Sequence, residues 1–171
     1  NLLTIIVPRH PQRFDEVANL LEARGMAYCR RSEFAMGNVA SEIPNCQVIL
    51  GDSMGEMFTY YAACDVALIG GSLMPLGGQN LIEACAMGKP VLIGEHTFNF
   101  SDASEQAIAE GAAIRVNAKD LAEKITLLMT DTAKQTEMGK AGLVFSKKAV
   151  GATQRLLDLM RPYFKANGQA D

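Results

Sequence analysis

Gly70-Gly-Ser-Leu-Met-Pro-Leu-Gly-Gly-Gln-Asn-Leu-Ile-Glu83 is the stretch that decides the fold of this 171-residue chain. The apolar run that precedes it, residues 66–69, is typical of a buried parallel strand. The amphipathic segment 81–87 that follows is typical of a helix. Glycines between the two allow a sharp turn and let a ligand approach the backbone closely. The stretch therefore predicts a glycine-rich strand-to-helix turn of an α/β fold.

The polar residues of this stretch have two interpretations. Asn80 and Glu83 are three residues apart, which is the spacing of a helix N-cap and its N3 partner, so they can form a capping pair. Alternatively, Ser72, Asn80 and Glu83 line a pocket for a phosphorylated ligand together with the glycine backbone, because a helix N-terminus favours an anion. Spacing alone leaves both interpretations open, since glycine-rich turns occur in many α/β folds.

Composition excludes several classes of protein. Apolar residues make up 49% of the chain and charged residues 20%, which is an ordinary globular mixture. The net charge of −3 and the absence of a basic stripe argue against nucleic-acid binding. The four cysteines form no C-x-x-C pair, which argues against a zinc site, and their apolar surroundings suit a reducing compartment. The apolar runs are shorter than the roughly 20 residues that span a bilayer, and no signal peptide is visible.

Six apolar runs alternate with helical patterns along the chain. Strands are predicted over residues 2–7, 26–31, 46–50, 65–69, 90–93 and 112–116. Helices are predicted over 13–24, 54–63, 81–87, 102–111 and 118–129, then from Thr132 with a break at Gly139 and Gly142, and again over 143–164. The first helix is predicted to bury Phe14, Val17, Leu20 and Leu21, and the second Met57, Phe58, Tyr60 and Tyr61. Residues 32–44 are predicted to form a loop. We predict one doubly wound, Rossmann-like domain over residues 1–164, with a frayed tail at 165–171.

The chain lacks an initial methionine and opens directly on a core strand, so we expect it to be the C-terminal part of a longer protein.

Strand order 3-2-1-4-5-6 would make the first and fourth strands neighbours. Arg9, after the first strand, would then face the glycine turn, and an arginine opposite a helix N-terminus suits a phosphate. Ser53 and Glu56 match a capping box, which explains them without a ligand.

Four motifs in order carry a resemblance to a known family. Val7-Pro-Arg-His-Pro-Gln-Arg-Phe14, Gly51-Asp-Ser-Met-Gly-Glu56, the Gly70–Glu83 stretch and Pro90-Val-Leu-Ile-Gly-Glu-His-Thr-Phe-Asn-Phe100 resemble the 3-deoxy-D-manno-octulosonic acid (Kdo) transferases. The resemblance implies the C-terminal, donor-binding half of a GT-B glycosyltransferase, in which two Rossmann-like domains face a cleft. It implies CMP-Kdo as donor, a lipid A precursor as acceptor, inversion at the sugar, and neither metal nor cofactor.

The same resemblance implies a place in the cell and a set of donor contacts. The full-length enzyme would act in lipopolysaccharide synthesis at the cytoplasmic face of the bacterial inner membrane, associated through its N-terminal part. The general base, a glutamate, would lie in the missing N-terminal domain, so this fragment alone is expected to be inactive. The family often has a histidine where Gln79 stands and a proline near Ile82. The implied donor contacts are Arg9, His10, Met54, Gly55, Glu56, Gly71, Ser72, Gly77, Gly78, Gln79, Asn80, Glu83, His96 and Asn99.

Two further functions stay open. The chain could belong to another GT-B sugar-nucleotide enzyme, in which case it would prefer UDP to CMP. It could also be a non-catalytic nucleotide-binding or protein-interaction module of Rossmann type. A dinucleotide cofactor is disfavoured because no G-x-G-x-x-G motif follows the first strand.

Overall fold

The computed structural model describes residues 2–34 and 45–166. The chain forms two compact units that divide between Tyr60 and Tyr61. The prediction of a single domain over 1–164 stays a prediction. Most of the predicted loop at 32–44, from residue 35 onward, lies outside the described residues, as does the end of the predicted tail.

The first unit contains a parallel sheet of three short strands. These are β1 (Thr4–Ile6), β2 (Tyr28–Arg30) and β3 (Val48–Leu50), in the order β1-β3-β2. Short 3-10 turns cover Pro11–Arg13 and Arg31–Glu33, and helix α1 covers Phe14–Ala23. The unit boundary falls within helix α2 (Met57–Ala63).

The predicted order of the first three strands is wrong, because β3 and not β2 pairs with β1. Val48 and Leu50 of β3 have no exposed surface, so the most apolar strand takes the centre. Tyr28 and Arg30 of the edge strand β2 instead bond to acidic side chains of α1. An edge strand can place polar side chains in this way, whereas a central strand is covered on both sides.

Helices α1 and α2 form as predicted but bury partly different side chains. In α1, Ala18 and Leu21 are buried, while Leu20, predicted to face the core, is 46% exposed. In α2, Tyr60 is buried, whereas Phe58, also predicted to be buried, is 54% exposed. Helical periodicity thus locates the apolar stripe only to within one residue.

The second unit has the β-α-β-α-β connectivity that the sequence predicts. Its elements are β4 (Ala67–Leu68), α3 (Ile82–Ala86), β5 (Val91–Ile93), α4 (Ser101–Ala109), β6 (Ala113–Arg115), α5 (Leu121–Thr130) and α6 (Thr132–Ala166). The strands are parallel in the order β4-β5-β6, which confirms this half of the predicted order. The described strands therefore form two three-stranded sheets rather than the single six-stranded sheet predicted.

Strand β5 divides the core of the second unit into two layers. Val91 and Ile93 pack with residues of α3 and α4, and Leu92 packs on the opposite face with Leu128 of α5 and Met138 of α6. Alternate residues of a strand point to opposite faces, so a strand with three buried residues needs cover on both. Helices on both faces of a parallel sheet confirm the α/β, doubly wound class.

Helix α6 continues through the two glycines that were predicted to break it. A Cβ at Gly139 would lie 2.3 Å from the carbonyl oxygen of Gly88, and one at Gly142 would lie 3.2 Å from Cα of Cys85. The missing side chains therefore let α6 pack against α3 and the turn after it. The predicted break is wrong because this packing outweighs the low helix propensity of glycine. The helix also extends to Ala166, two residues into the predicted tail.

None of the helices within the described residues, α6 included, combines the length and the apolar character of a membrane-spanning helix.

Candidate functional site

Two loops of the second unit meet at the carboxyl ends of their strands. The glycine loop (residues 70–81) follows β4, and the β5 loop (residues 94–100) follows β5. The backbone N–H of His96 donates to the carbonyl of Ser72 at 2.9 Å, and that of Asn99 donates to the carbonyl of Gly77 at 3.1 Å. The structure therefore brings predicted contacts from two separate motifs into one place.

The glycine loop has a backbone shape that requires glycine. Gly77 and Gly78 have φ angles of 87° and 72°, a region that side chains disfavour. A Cβ at Gly77 would also lie 2.3 Å from the amide nitrogen of Asn99 and 2.6 Å from the ring of Phe98. Glycine at this position lets the two loops touch.

Ser72 joins the two loops from inside. Its side chain has no exposed surface, its hydroxyl donates to the carbonyl of Ile69 at 2.6 Å, and it accepts the N–H of Gly94 at 2.8 Å. The observed role of Ser72 is thus to hold the ends of β4 and β5 together. A contact between Ser72 and a ligand stays a prediction.

Asn80 and Glu83 bond to each other at the start of α3, but the N-cap of this helix is Leu81 and not Asn80 as predicted. The N–H of Ile82 donates to Oδ1 of Asn80 at 3.0 Å, and the Asn80 amide donates to Oε1 of Glu83 at 3.1 Å. Helix α3 has only five residues, so its summed dipole is small and we assign no anion site to its N-terminus. Any affinity of this loop for a phosphate must come from its exposed backbone and side chains.

Tyr61 lies near the Glu83 carboxylate within the same unit. Burial, with the negative charge of Glu83 adding to it, raises the pKa of Tyr61 to about 12. The phenol is therefore neutral at physiological pH.

Of the predicted contacts in the first unit, Arg9 and His10 lie just after β1. Both are exposed, and the carbonyl of His10 accepts the N–H of Arg13 at 2.9 Å, which closes the Pro11–Arg13 turn. The two prolines around His10 stiffen this turn. The roles of Arg9 and His10 in donor binding stay predictions.

The loop after β3 holds Glu56 in a polar cluster. Glu56 accepts hydrogen bonds from the hydroxyl of Ser53 and, at 2.9 Å, from Nη2 of Arg31. The hydroxyls of Ser53 and Tyr60 are 2.6 Å apart. The hydrogen bond from Ser53, assisted by Arg31, lowers the pKa of Glu56. Glu56 is therefore ionised and oriented at neutral pH.

Next to this cluster, Met54 is 63% exposed and Gly55 has a φ of 80°. The loop thus presents Met54 to solvent on a turn that favours glycine, while Glu56 lies partly buried behind it. Ser53 and Glu56 were predicted as a capping box of a helix starting at Met54. In the structure they bond to each other through their side chains, and α2 begins only at Met57.

Sequence reasoning missed three polar residues of this cluster. Asp52 accepts both the N–H of Ser32, at 2.8 Å, and its hydroxyl, at 2.6 Å. Burial opposes ionisation of Asp52, but these hydrogen bonds outweigh it and lower its pKa. Arg31, Ser32 and Asp52 all lie one or two residues after a strand, and that position is the signal that could have identified them.

The four cysteines are free thiols. Cys85 is buried, and burial raises its pKa to about 11, whereas Cys29 and Cys64 are only half-buried. Within the described ranges, no three His, Cys, Asp or Glu side chains are grouped so that they could hold a metal ion. The absence of a metal or cofactor from the reaction stays a prediction.

Comparison with known proteins gives a consistent assignment. Residues 40–144 match the family model of the glycosyl transferases group 1. The chain is 48% identical over 162 residues to a 3-deoxy-D-manno-octulosonic acid transferase of Bordetella pertussis, covering 94% of this chain and 37% of the relative. It is 40% identical over 171 residues to the enzyme of that name from Haemophilus influenzae, covering 98% and 38%.

A solved structure is also similar. The C-terminal CMP-Kdo binding domain of WaaA from Acinetobacter baumannii superposes with a TM-score of 0.74 at 33% identity, covering 84% of this chain and 73% of that domain.

The α/β fold and the family match define the chain as a domain of the glycosyl transferases group 1. Within that class, the chain belongs to the 3-deoxy-D-manno-octulosonic acid transferases, which confirms the resemblance found in its motifs. The chain spans 37–38% of the length of the two bacterial relatives described above.

Proposed function

We propose that this chain is the donor-binding domain of a Kdo transferase and that it binds CMP-Kdo. The observation that supports the proposal is the pair of hydrogen bonds that tie the glycine loop to the β5 loop. They bring Gly77, Gly78, His96 and Asn99 together in a fold shared with a solved CMP-Kdo binding domain. Gly77 and Gly78 are buried where the loops touch, and the partly exposed His96 and the exposed Asn99 beside them are suited to a nucleotide phosphate.

The proposed chemistry is the stabilisation of a departing CMP. Cleavage of the bond between Kdo and CMP leaves negative charge on the phosphate. The N–H of Gly78 already donates to the carbonyl of Gly71, and that of Gln79 to the carbonyl of Gly70. The side chains of His96 and Asn99 would therefore stabilise this charge, because the two joined loops already hold their backbone in place. Arg9, proposed from its place after the first strand and from the resemblance, would supply a cation to the donor. This proposal requires no metal, and the sugar would be transferred with inversion.

Glu83 and Asn80 would orient the rest of the donor. Oε1 of Glu83 already accepts the Asn80 amide, which fixes the carboxylate. The second oxygen of Glu83 would accept a ribose hydroxyl, and Asn80 would approach the phosphate or the sugar. The bonded pair of Asn80 and Glu83 would therefore serve both the start of α3 and donor binding.

The acceptor and the cellular site are proposed from the resemblance. The full-length enzyme would transfer Kdo to a lipid A precursor in lipopolysaccharide synthesis. It would act at the cytoplasmic face of the bacterial inner membrane, associated through its N-terminal part, which would also supply the general base.

Calorimetric titration of the chain with CMP, UMP and NAD tests the proposal. We expect saturable binding of one CMP, weaker binding of UMP and no binding of NAD. Amide exchange should slow on CMP binding in residues 70–81 and 94–100. A preference for UMP would indicate another sugar-nucleotide enzyme instead, and the lack of binding to any nucleotide would indicate a module without a donor site.

A further inference from the structure

Arg115 is the last residue of β6, and its guanidinium connects the β5 loop to α4. Its Nη1 donates to the carbonyl oxygen of Gly94 at 2.8 Å, and its Nη2 forms an ion pair with the carboxylate of Glu105. The side chain of Arg115 is 30% exposed, so this contact lies at the surface end of the sheet. The planar fork of arginine suits two simultaneous acceptors, which a lysine ammonium could not hold in the same geometry.

Both backbone polar groups of Gly94, its N–H and its carbonyl, therefore form hydrogen bonds. Its N–H donates to the buried hydroxyl of Ser72 at 2.8 Å, and its carbonyl accepts from Arg115. A Cβ at Gly94 would lie 2.2 Å from the carbonyl oxygen of Ser72, so the backbone segments at Gly94 and Ser72 already touch. The starting point of the β5 loop is therefore fixed by packing on one side and by a charged hydrogen bond on the other.

The residues that follow Gly94 are the ones that face the glycine loop. His96 bonds to Ser72 through its backbone, and Asn99 bonds to Gly77. A displacement of Gly94 would move both, because only one residue separates it from His96. Of the charged side chains with described hydrogen bonds, Arg115 is the one that reaches the backbone of this loop.

We propose that Arg115 is a positioning residue for donor binding, which holds the β5 loop against the glycine loop through the Gly94 carbonyl. This inference rests on the proposed function, since the nucleotide would bind where the two loops meet. Arg115 itself does not touch the donor. Its role is to fix where His96 and Asn99 stand before the donor arrives.

The test replaces Arg115 by methionine, which keeps an unbranched chain of similar reach but has no N–H donor. We expect Arg115→Met to weaken CMP binding about tenfold in calorimetry, because a lost charged hydrogen bond and a displaced loop act together. Amide exchange of residues 94–99 should become faster. Arg115→Lys should recover part of the affinity, because an ammonium can still donate to the Gly94 carbonyl.

The matched control is Lys148→Met, which removes the 2.9 Å ion pair between α6 and Glu110 in the same unit. We expect this variant to keep the wild-type affinity for CMP and the wild-type exchange in residues 94–99. Equal loss of affinity in the control would overturn the proposal, because it would trace the effect to general destabilisation.

Three results separate this inference from the proposed function. Wild-type affinity together with wild-type exchange in Arg115→Met would overturn the positioning role, as would a lysine variant as weak as the methionine variant. If the unsubstituted chain binds no CMP, the proposed function fails. In that case faster exchange of residues 94–99 in Arg115→Met would still support the loop-holding contact, and unchanged exchange would overturn it.

Discussion

Gly94 shows how backbone contacts confine a single residue. The position has no unusual φ, so its requirement for glycine comes entirely from the 2.2 Å gap to the carbonyl oxygen of Ser72. Backbone cannot move aside as the tip of a side chain can. Gly70, at the start of the glycine loop, has open space where a Cβ would lie. These two glycines therefore make a matched pair.

We predict that Gly94→Ala lowers the free energy of unfolding by about 1–3 kcal/mol, the usual cost of overpacking. Gly70→Ala should change it by less than about 0.5 kcal/mol, as surface substitutions usually do. Urea denaturation of both variants measures the difference. Equal stabilities of the two variants would contradict the packing argument.

The pKa of Tyr61 predicts a pH dependence of stability. Burial raises this pKa from 10.0 to about 12, so the folded protein keeps a proton that the unfolded chain releases. The stabilisation is fully present below pH 10 and is lost as the pH rises from 10 through 12. We predict that the free energy of unfolding falls more steeply over this range in wild type than in Tyr61→Phe.

Denaturant unfolding at a series of pH values measures this slope. Tyr163→Phe is the control, because Tyr163 is 75% exposed and should leave the slope unchanged. Cys85, with a pKa of about 11, titrates in all three proteins, so its contribution to the pH dependence of stability is the same in each. Parallel curves for wild type and Tyr61→Phe would show that the phenol is not effectively buried.

Arg9 is a predicted donor contact whose role can be measured directly. Removal of a charged hydrogen bond to the phosphate should weaken CMP binding by about 1–3 kcal/mol in Arg9→Ala. The control is Arg24→Ala, since Arg24 is also exposed and lies at the end of α1. An unchanged CMP affinity by calorimetry would remove Arg9 from the site.

At single positions, the sequence identified local partners better than distant ones. The spacing of Asn80 and Glu83 predicted their mutual contact, because both residues lie within one turn, although the N-cap of α3 is Leu81. The inward orientation of Ser72 and the reach of Arg115 to Gly94 depend on the paths of two loops that are far apart in sequence. Such paths leave no local pattern, and so these roles were missed.

At the scale of elements, apolar runs located each of the strands β1 to β6 found in the described part of the chain, although each observed strand is shorter than its run. The run over 46–50 predicted β3 but not its central place, because hydrophobicity does not say which strands pair. The sequence predicted the parallel order of β4, β5 and β6 correctly, because a short crossover helix between two strands limits which strands can be neighbours. Burial of Val48 and Leu50 is what distinguishes the centre of the first sheet.

Helix α6 shows a local preference that packing overrides. Helix propensity favours alanine over glycine by about 1 kcal/mol, so a helix that tolerates Gly139 must gain from it elsewhere. The gain is the close approach of the Gly88 carbonyl, which would lie 2.3 Å from a Cβ at Gly139. Propensity alone predicts a break here, and only the tertiary contact explains why the helix continues.

We predict that Gly139→Ala destabilises the protein by about 1–3 kcal/mol, although alanine is the better helix former. The exposed neighbour Lys140 provides the control, and Lys140→Ala should be nearly neutral. Thermal and urea unfolding measure both variants. A stabilised Gly139→Ala variant would mean that propensity dominates and that the packing interpretation is wrong.

At the scale of the whole molecule, we expect this chain to bind the nucleotide donor without catalysing the transfer of Kdo. The chain spans 37–38% of the length of two transferase relatives, and the proposed general base lies outside it. We predict that the chain alone binds CMP but transfers no Kdo from CMP-Kdo to a lipid A precursor. Chromatographic detection of the glycosylated lipid measures transfer, with the full-length protein as positive control.

The result that would contradict this prediction is transfer by the chain alone at a rate comparable to that of the full-length protein. The general base would then have to lie within these 171 residues. Comparison of CMP affinities in the two proteins would show whether the missing part also contributes to donor binding.

The bonds between the glycine loop and the β5 loop have a consequence for the entropy of ligand binding. Because Ser72, Gly77 and their partners already fix these loops, a small molecule that enters the corner between them loses little affinity to the freezing of mobile chain. A rigid ligand held against the two loops should therefore bind with a small entropic cost, which calorimetry can measure.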